Sequence, residues 1–215
     1  MSIELANPNL VSPDISSQLF NLDRPIKLGV LASGDGSNFA AIHQAIEKKK
    51  LNAQIKVLIY NNPEAYVAVR AKNYNIPTVL INHRSYNSRE ELDNEIVKNL
   101  KEYQVDWVIM AGWMRLVTLV LIDAFPEKII NIHPSLLPSF KGIRAIEQAL
   151  NAGVKITGCT VHLVTLEMDS GSILMQAAVP IFPNDTLETL HSRIQIQEHT
   201  ILPAAIALAA SSFQE

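Results

Sequence analysis

From Arg24 onward, short unbroken apolar runs alternate with longer stretches in which apolar residues recur every three or four positions. The first pattern predicts buried strands and the second predicts amphipathic helices. Ile26–Ala32 reads as a strand, and Phe39–Lys50 as a helix whose inner face is Ala40, Ile42, Ala45 and Ile46. Gln54–Tyr60 is a second strand, closed by Asn61-Asn62-Pro63, and Glu64–Tyr74 a second helix. Asn75-Ile76-Pro77 leads into a short strand, Thr78–Ile81. Ser88 predicts an N-cap, with Glu91 three residues on completing a capping box, for a helix reaching about Tyr103. Trp107–Ala111 and the run entered at Ile129-Ile130 are further strands. Later the pattern changes. Lys155–Leu166 and Ile173–Ile181, separated by Glu167–Ser172, predict an antiparallel pair at one sheet edge. Thr186–Ala210 closes the chain as a long helix, capped at Asp185 or Thr186 and bent at Pro203.

Repeated strand–helix units with short links imply an α/β fold with a doubly wound, mostly parallel sheet, an antiparallel C-terminal edge and a long C-terminal helix. At 215 residues one domain is expected, spanning 25–215, with a phosphate-binding half (25–124) and a catalytic half (125–215). Residues 1–24, rich in Asn, Ser and Pro, read as a disordered tail without the cationic start or apolar run of a signal peptide. Ile201–Ala210 is too short to span a bilayer. A net charge of −3 and a pI near 6.1 argue against a nucleic-acid backbone as partner. The single Cys159 excludes an internal disulfide, which fits a reducing, cytoplasmic location. No His/Cys/carboxylate spacing resembles a zinc site, so no metal is expected.

The chemistry concentrates in Asn131-Ile132-His133-Pro134-Ser135-Leu136-Leu137-Pro138. Strand residues at i and i+2 share a face, so Asn131 and His133 point together. An amide donor beside a titratable ring is what stabilising a developing oxyanion requires. Asp169 could orient and tune that ring. Ligands of open α/β sheets lie beyond the carboxyl ends of the strands, which gathers Ser33–Asn38, Gly112–Val117, Asn131–Ser135 and Thr165–Asp169 on one rim. Ser33-Gly34-Asp35-Gly36-Ser37-Asn38 suits a compact monophosphate at a helix N-terminus. It lacks the third glycine of a dinucleotide fingerprint, where Phe39 stands, and the Gly-Lys-Ser/Thr of a nucleoside-triphosphate loop. The plainer reading of that loop is a tight turn with Ser37 as N-cap.

Taken together, Ser33–Asn38, Ala111-Gly112-Trp113-Met114-Arg115, Asn131–Pro138, Met168-Asp169-x-Gly171 and Gln197-Glu198-His199 resemble the phosphoribosylglycinamide formyltransferases, over roughly residues 26–205. That resemblance implies the formyltransferase fold, 10-formyltetrahydrofolate as co-substrate, glycinamide ribonucleotide as acceptor, and action as a monomer or homodimer. It implies Asn131, His133 and Asp169 as catalytic residues. Gly36, Ser37 and Asn38, with Gln195, Ile196, Gln197 and Glu198, would bind the ribonucleotide. Arg89, Met114, Arg115, Leu116 and Val117, with Asn131, Thr165, Leu166, Glu167, Met168 and Asp169, would bind the folate. The chain departs from the pattern at Arg144 and Ile146, where His is frequent, and at Asp35, where Asn is frequent.

Four other readings compete. A methionyl-tRNA formyltransferase carries a further C-terminal domain and a formyltetrahydrofolate hydrolase a small N-terminal one, and neither has residues here. A folate or phosphosugar binding module has no use for a proton-transferring trio, and a nicotinamide dehydrogenase needs the missing glycine. Among the remaining histidines, His43 and His191 read as solvent-facing, His83 as a rim residue, His162 as packed core and His199 as a support for Glu198. Trp107 reads as core and Trp113 as a neighbour of the pterin. Lys48-Lys49-Lys50 complements a helix C-terminus. Thr160–Ser170 is the expected closing loop.

Overall fold

The computed structural model describes residues 10–14 and 24–212. It contains strands β1 (Val11–Ser12), β2 (Ile26–Ala32), β3 (Ala53–Tyr60), β4 (Thr78–Leu80), β5 (Trp107–Met110), β6 (Ile129–His133), β7 (Ile156–Leu163) and β8 (Ile173–Pro180). The helices are α1 (Ser37–Glu47), α2 (Val67–Asn73), α3 (Arg89–Glu102), α4 (Leu119–Ala124), α5 (Ala145–Ala152) and α6 (Leu187–Ser212). All eight strands form one sheet in the order β1-β8-β7-β6-β5-β2-β3-β4. Pairing is parallel from β4 through β6 and antiparallel for β6–β7, β7–β8 and β8–β1.

Successive residues of β2 fall into different cores, as the period of two demands. Val30 packs with Phe39 and Ile42 of α1 and Ile201, Leu202 and Ile206 of α6. Leu31 packs on the other face with Leu92, Ile96 and Leu100 of α3 and Leu121 of α4.

Two expectations change at the edges. The antiparallel pair does not end the sheet, because Val11 and Ser12 pair with Ala177 and Gln176 and cover β8. The tail reading therefore fails at residues 10–14, while residues 1–9 and 15–23 lie outside the described residues. Two short helices, α4 and α5, were not foreseen. Six and eight residues are too few for an apolar period to stand out.

Capping follows the expected residues with altered detail. Ser88 Oγ accepts the Glu91 N–H at 3.0 Å, but the Glu91 carboxylate accepts from Asn87 rather than Ser88. Helix α1 starts two residues earlier than expected, because Gly36, in the left-handed region with φ 79°, is its N-cap in place of Ser37. Ahead of α6, Arg193 binds the Asp185 carboxylate through two nitrogens at 2.7 and 2.8 Å and holds it well below the usual carboxylate range. Helix α6 runs through Pro203 unbroken and buries its C-terminal half, from Ile201 to Ala210, against the sheet.

Chain order reverses between β2 and β5: from β2 the sheet grows through β3 in one direction and through β5 in the other. In open α/β sheets ligands bind beyond the carboxyl ends of the strands at such a reversal. Ser33 ties the two loops together, its N–H donating to Gly112 O at 3.1 Å and its Oγ accepting the Met114 N–H at 2.9 Å.

Candidate active site

Strand β6 carries Asn131 and His133 on the same face, and β7 runs antiparallel beside it with His162 opposite Asn131 and Thr160 opposite His133. The loop after β7 returns Asp169 in the left-handed region, φ 51°, to the space between the two histidines. Its Oδ2 lies 3.5 Å from His133 Nδ1 and its Oδ1 3.7 Å from His162 Nε2. Asn131 Nδ2 stands 3.1 Å from His162 Nε2. Four side chains thus close one polar cluster on the rim.

A carbonyl only accepts, so two contacts assign the ring protons. His162 Nδ1 donates to Leu163 O at 2.8 Å, and in the neutral ring Nε2 is then an acceptor for the Asn131 amide. Burial lowers the pKa of His162 and favours that neutral form. His133 Nε2 donates to Phe140 O at 2.8 Å, which leaves Nδ1, on the Asp169 side, as the nitrogen able to exchange a proton with a ligand. Gly142 N–H donates to Asp169 Oδ2 at 2.8 Å. Residues 140–142 therefore brace both the imidazole and the carboxylate. Gly171 is required behind them, because a Cβ there would meet Leu163 O at 1.8 Å.

The loop Ser33–Asn38 is held by α6. Gln195 Nε2 donates to Ser37 Oγ at 2.8 Å and Asn38 Nδ2 donates to Glu198 Oε2 at 2.9 Å. Gln195 and Glu198 are three apart and share a helix face. Ile196, between them, is 64% exposed. Gly36 combines its positive φ with contact to α2, where a Cβ would lie 2.3 Å from Val67 Cγ2. Asp35 turns out of the loop onto Arg70, at 2.8 Å, which removes the conflict of a carboxylate beside an anion site. Burial pushes the Glu198 carboxyl up despite the Asn38 hydrogen bond. Asn38 Oδ1 has no hydrogen-bond partner among the described residues.

The expected folate residues gather around two neighbouring cavities. One, of about 50 Å³, is lined by Arg115, Leu116, Val117, Asn131, His162 and Thr165–Asp169. The other, of about 400 Å³, holds Arg89 and shares Leu116, Val117 and Leu166 with the first. Met114 lines neither and is 77% exposed, its main-chain N–H bound to Ser33. Small-molecule sites usually enclose hundreds of cubic ångströms, a size the outer cavity has and the inner one lacks. Of the stretch Thr160–Ser170 expected to be a closing loop, Thr160–Leu163 belong to β7 and only the residues after them form a loop. A further cavity, about 820 Å³ between α1 and α6, is lined by Lys48–Lys50, Arg70 and His199 and contains none of the rim's polar cluster.

His162 is the residue that sequence reasoning misplaced. It is buried as expected, but it belongs to the polar cluster rather than to an apolar core. Only the register between β6 and β7, a pairing across about thirty residues, brings it to Asn131. Of the others, His43 is half-buried and stacks on Tyr74 with ring centres 3.9 Å apart, and His191 is exposed. His83 Nδ1 donates to Asn61 O at 3.0 Å. Trp107 and Trp113 are both buried, and Trp113 Nε1 has no partner among the described residues. Burial raises the Cys159 thiol far above its usual range. Among the described residues no group of three or more His, Cys, Asp or Glu is placed to hold a metal ion, and no helix is long and apolar enough to cross a membrane.

Residues 26–206 match the formyl transferase family model. The chain is 42% identical over 180 residues to the phosphoribosylglycinamide formyltransferase of Bacillus subtilis (strain 168), covering 84% of this chain and 92% of that protein. It is 44% identical over 185 residues to the human trifunctional purine biosynthetic protein adenosine-3, covering 86% of this chain but only 18% of that longer protein. Among solved structures, glycinamide ribonucleotide transformylase 1 from Symbiobacterium toebii superposes with a TM-score of 0.86 at 43% identity, over 87% of this chain and 89% of that one. Phosphoribosylglycinamide formyltransferase from Bacillus halodurans does so at 0.82 and 45%, over 84% and 93%. The rim cluster, the glycine turn ahead of α1 and the family match over most of the chain lead to one conclusion: this protein belongs to the formyl transferase family.

Proposed function

We propose that this chain transfers the formyl group of 10-formyltetrahydrofolate to the amine of glycinamide ribonucleotide, a step of purine biosynthesis. The observation that carries the reading is the cluster of Asn131, His133, His162 and Asp169, set beside the cavities at Leu116–Val117 on a rim that also carries the loop at Gly36–Asn38. The ribonucleotide phosphate sits on the free N–H groups at the start of α1, with Ser37, Asn38, Gln195 and Glu198 around it. The pterin enters between Leu116–Val117 and Thr165–Asp169, and Arg89 takes an acidic group of the folate from the adjoining cavity. Both sites are built from one chain, so a monomer suffices for the chemistry. The lone buried Cys159 supports a cytosolic setting.

The neutral amine attacks the formyl carbon, giving a tetrahedral intermediate with a negative oxygen and a positive nitrogen. The free N–H of Asn131, its other hydrogen held by His162, and a proton on His133 Nδ1 stabilise the oxygen. Asp169, beside His133 Nδ1, takes the proton leaving the amine. Cleavage of the bond from carbon to folate N10, with that proton passing to N10, releases formylated ribonucleotide and tetrahydrofolate. No covalent enzyme intermediate forms, in keeping with a buried thiol at Cys159 and a Ser135 hydroxyl that donates to Ser139 O at 2.6 Å.

The test follows deformylated folate by absorbance, with and without glycinamide ribonucleotide. Turnover only with the ribonucleotide is expected. Turnover at the same rate in its absence means hydrolysis and overturns the transferase reading.

A further inference from the structure

Asp93 is 1% exposed, on the face of α3 that packs against the start of α4. A single oxygen, Oδ2, accepts two hydrogen bonds from one residue: the Thr118 N–H at 2.6 Å and the Thr118 hydroxyl at 2.8 Å. Thr118 is itself the N-cap of α4, its Oγ1 accepting the Val120 N–H at 3.3 Å. Burying a carboxylate is costly, and an apolar side chain at such a position is commonly more stabilising. Burial indeed drives the Asp93 carboxyl up. A group retained against that cost, and spent on one residue of a loop, calls for a reason in the loop.

The segment between β5 and α4 supplies it. Leu116 and Val117 line both cavities of the rim. At its front this segment is pinned by Ser33, through Gly112 and Met114; at its back it is pinned by Asp93, through Thr118. Arg89 stands one helical turn before Asp93 on α3 and lines the 400 Å³ cavity with Leu116, Val117 and Thr118. One helix therefore carries the cation on one wall and the clamp that places the apolar wall.

We propose that Asp93 is a positioning residue for the folate co-substrate: by holding Thr118 it sets the distance between Arg89 and the Leu116–Val117 wall. This rests on the reading of these cavities as the folate site. A carboxylate that merely capped α4 would alter melting temperature and leave the two substrates' KM values in their original ratio.

The experiment measures KM for each substrate, kcat and melting temperature for D93A, D93N and T118V in the full chain. Tetrahydrofolate affinity is titrated separately through tryptophan fluorescence, since Trp113 lies in the same segment. Loss of hydrogen bonds to a charged group amounts to roughly tenfold or more in an equilibrium. D93A is accordingly expected to raise KM for 10-formyltetrahydrofolate and the tetrahydrofolate Kd about tenfold, with the ribonucleotide KM and kcat within about threefold. T118V keeps the main-chain bond and shows a smaller shift in the same direction. D93N restores most of the affinity, since its amide oxygen can accept both hydrogens. Equal changes in both KM values, or D93N as weak as D93A, overturn the proposal, and D93N with T118V decide it should D93A not fold. Wild-type protein that binds tetrahydrofolate without turnover refutes the transferase reading alone, and the Kd shifts still decide the role of Asp93. Wild-type protein that binds no tetrahydrofolate refutes both.

Discussion

Asn131 and His162 face each other across the antiparallel pairing of β6 and β7, amide nitrogen to imidazole nitrogen at 3.1 Å. Because His162 Nδ1 is committed to Leu163 O, its Nε2 can only accept, and the Asn131 amide is held with its NH₂ end toward the histidine. An oxyanion donor, the role proposed for Asn131, is effective when it is oriented before the reaction begins, and contact with His162 fixes how that amide is turned.

Replacing His162 by Phe keeps the bulk and removes the acceptor. The expected result is a fall in kcat of about 10²-fold, approaching the loss seen on removing an oxyanion donor, with substrate KM values little changed. Steady-state kinetics of H162F, N131A and the double variant check this. The double variant should be scarcely worse than N131A, because the two residues act as a unit.

Asp169→Asn should retain the fold while losing about 10²–10⁴ in turnover, the usual worth of a positioned acid–base group. The Gly142 hydrogen bond to Oδ2 can survive at an amide oxygen, so the loop has no reason to move. Comparison of kcat with the thermal midpoint separates chemistry from folding. A variant with normal turnover removes Asp169 from the mechanism.

Two buried groups tilt stability with pH in opposite directions. His162 has a folded pKa below its ordinary 6.5, so the folded state binds fewer protons than the unfolded chain just below that pH. Its contribution is fully present above pH 6.5 and is lost as pH falls through 6.5 toward the lowered value. Glu198 has a folded pKa above its ordinary 4.5, so its contribution is lost as pH rises from 4.5 through the raised value. Glu198→Gln, which can keep the Asn38 hydrogen bond, should therefore gain on wild type in melting temperature as pH rises from 4 to 7. H162F should show a shallower loss below pH 6.5. Thermal melts across that range give both slopes.

Gly36→Ala should weaken ribonucleotide binding selectively. Its φ of 79° disfavours any side chain, and the added Cβ would press on Val67. Displacement of the first N–H groups of α1 should raise the ribonucleotide KM about tenfold or more, the worth of one to two charge-assisted hydrogen bonds, with the folate KM unchanged. A rise in both KM values together points instead to general destabilisation.

Much of this molecule is legible without coordinates. The apolar run Ile26–Ala32 is the observed β2 to the residue, and Ser88 caps α3 as its hydroxyl and position suggest. Asn131 and His133 share a face because strand period alone requires it. Gly36, Ser37 and Asn38 sit at a helix start because a glycine-rich turn after a strand has few other uses. These features depend on neighbours along the chain, where backbone geometry and side-chain period act directly.

What the tertiary structure decided depends on residues far apart in sequence. His162 reads as a core histidine until the β6–β7 register sets it against Asn131. Gln195 and Glu198 meet Ser37 and Asn38, about 160 residues away, only because helix α6 packs beside that loop. Val11 and Ser12 read as tail until they meet the open edge of β8. Asp93, an unremarked acidic residue of an amphipathic helix, becomes the anchor of a pocket wall only when Thr118 comes within 2.6 Å of it. Local pattern encodes which face a residue takes. Its partner across the sheet or between layers is set by register and packing, which emerge only when the whole core closes.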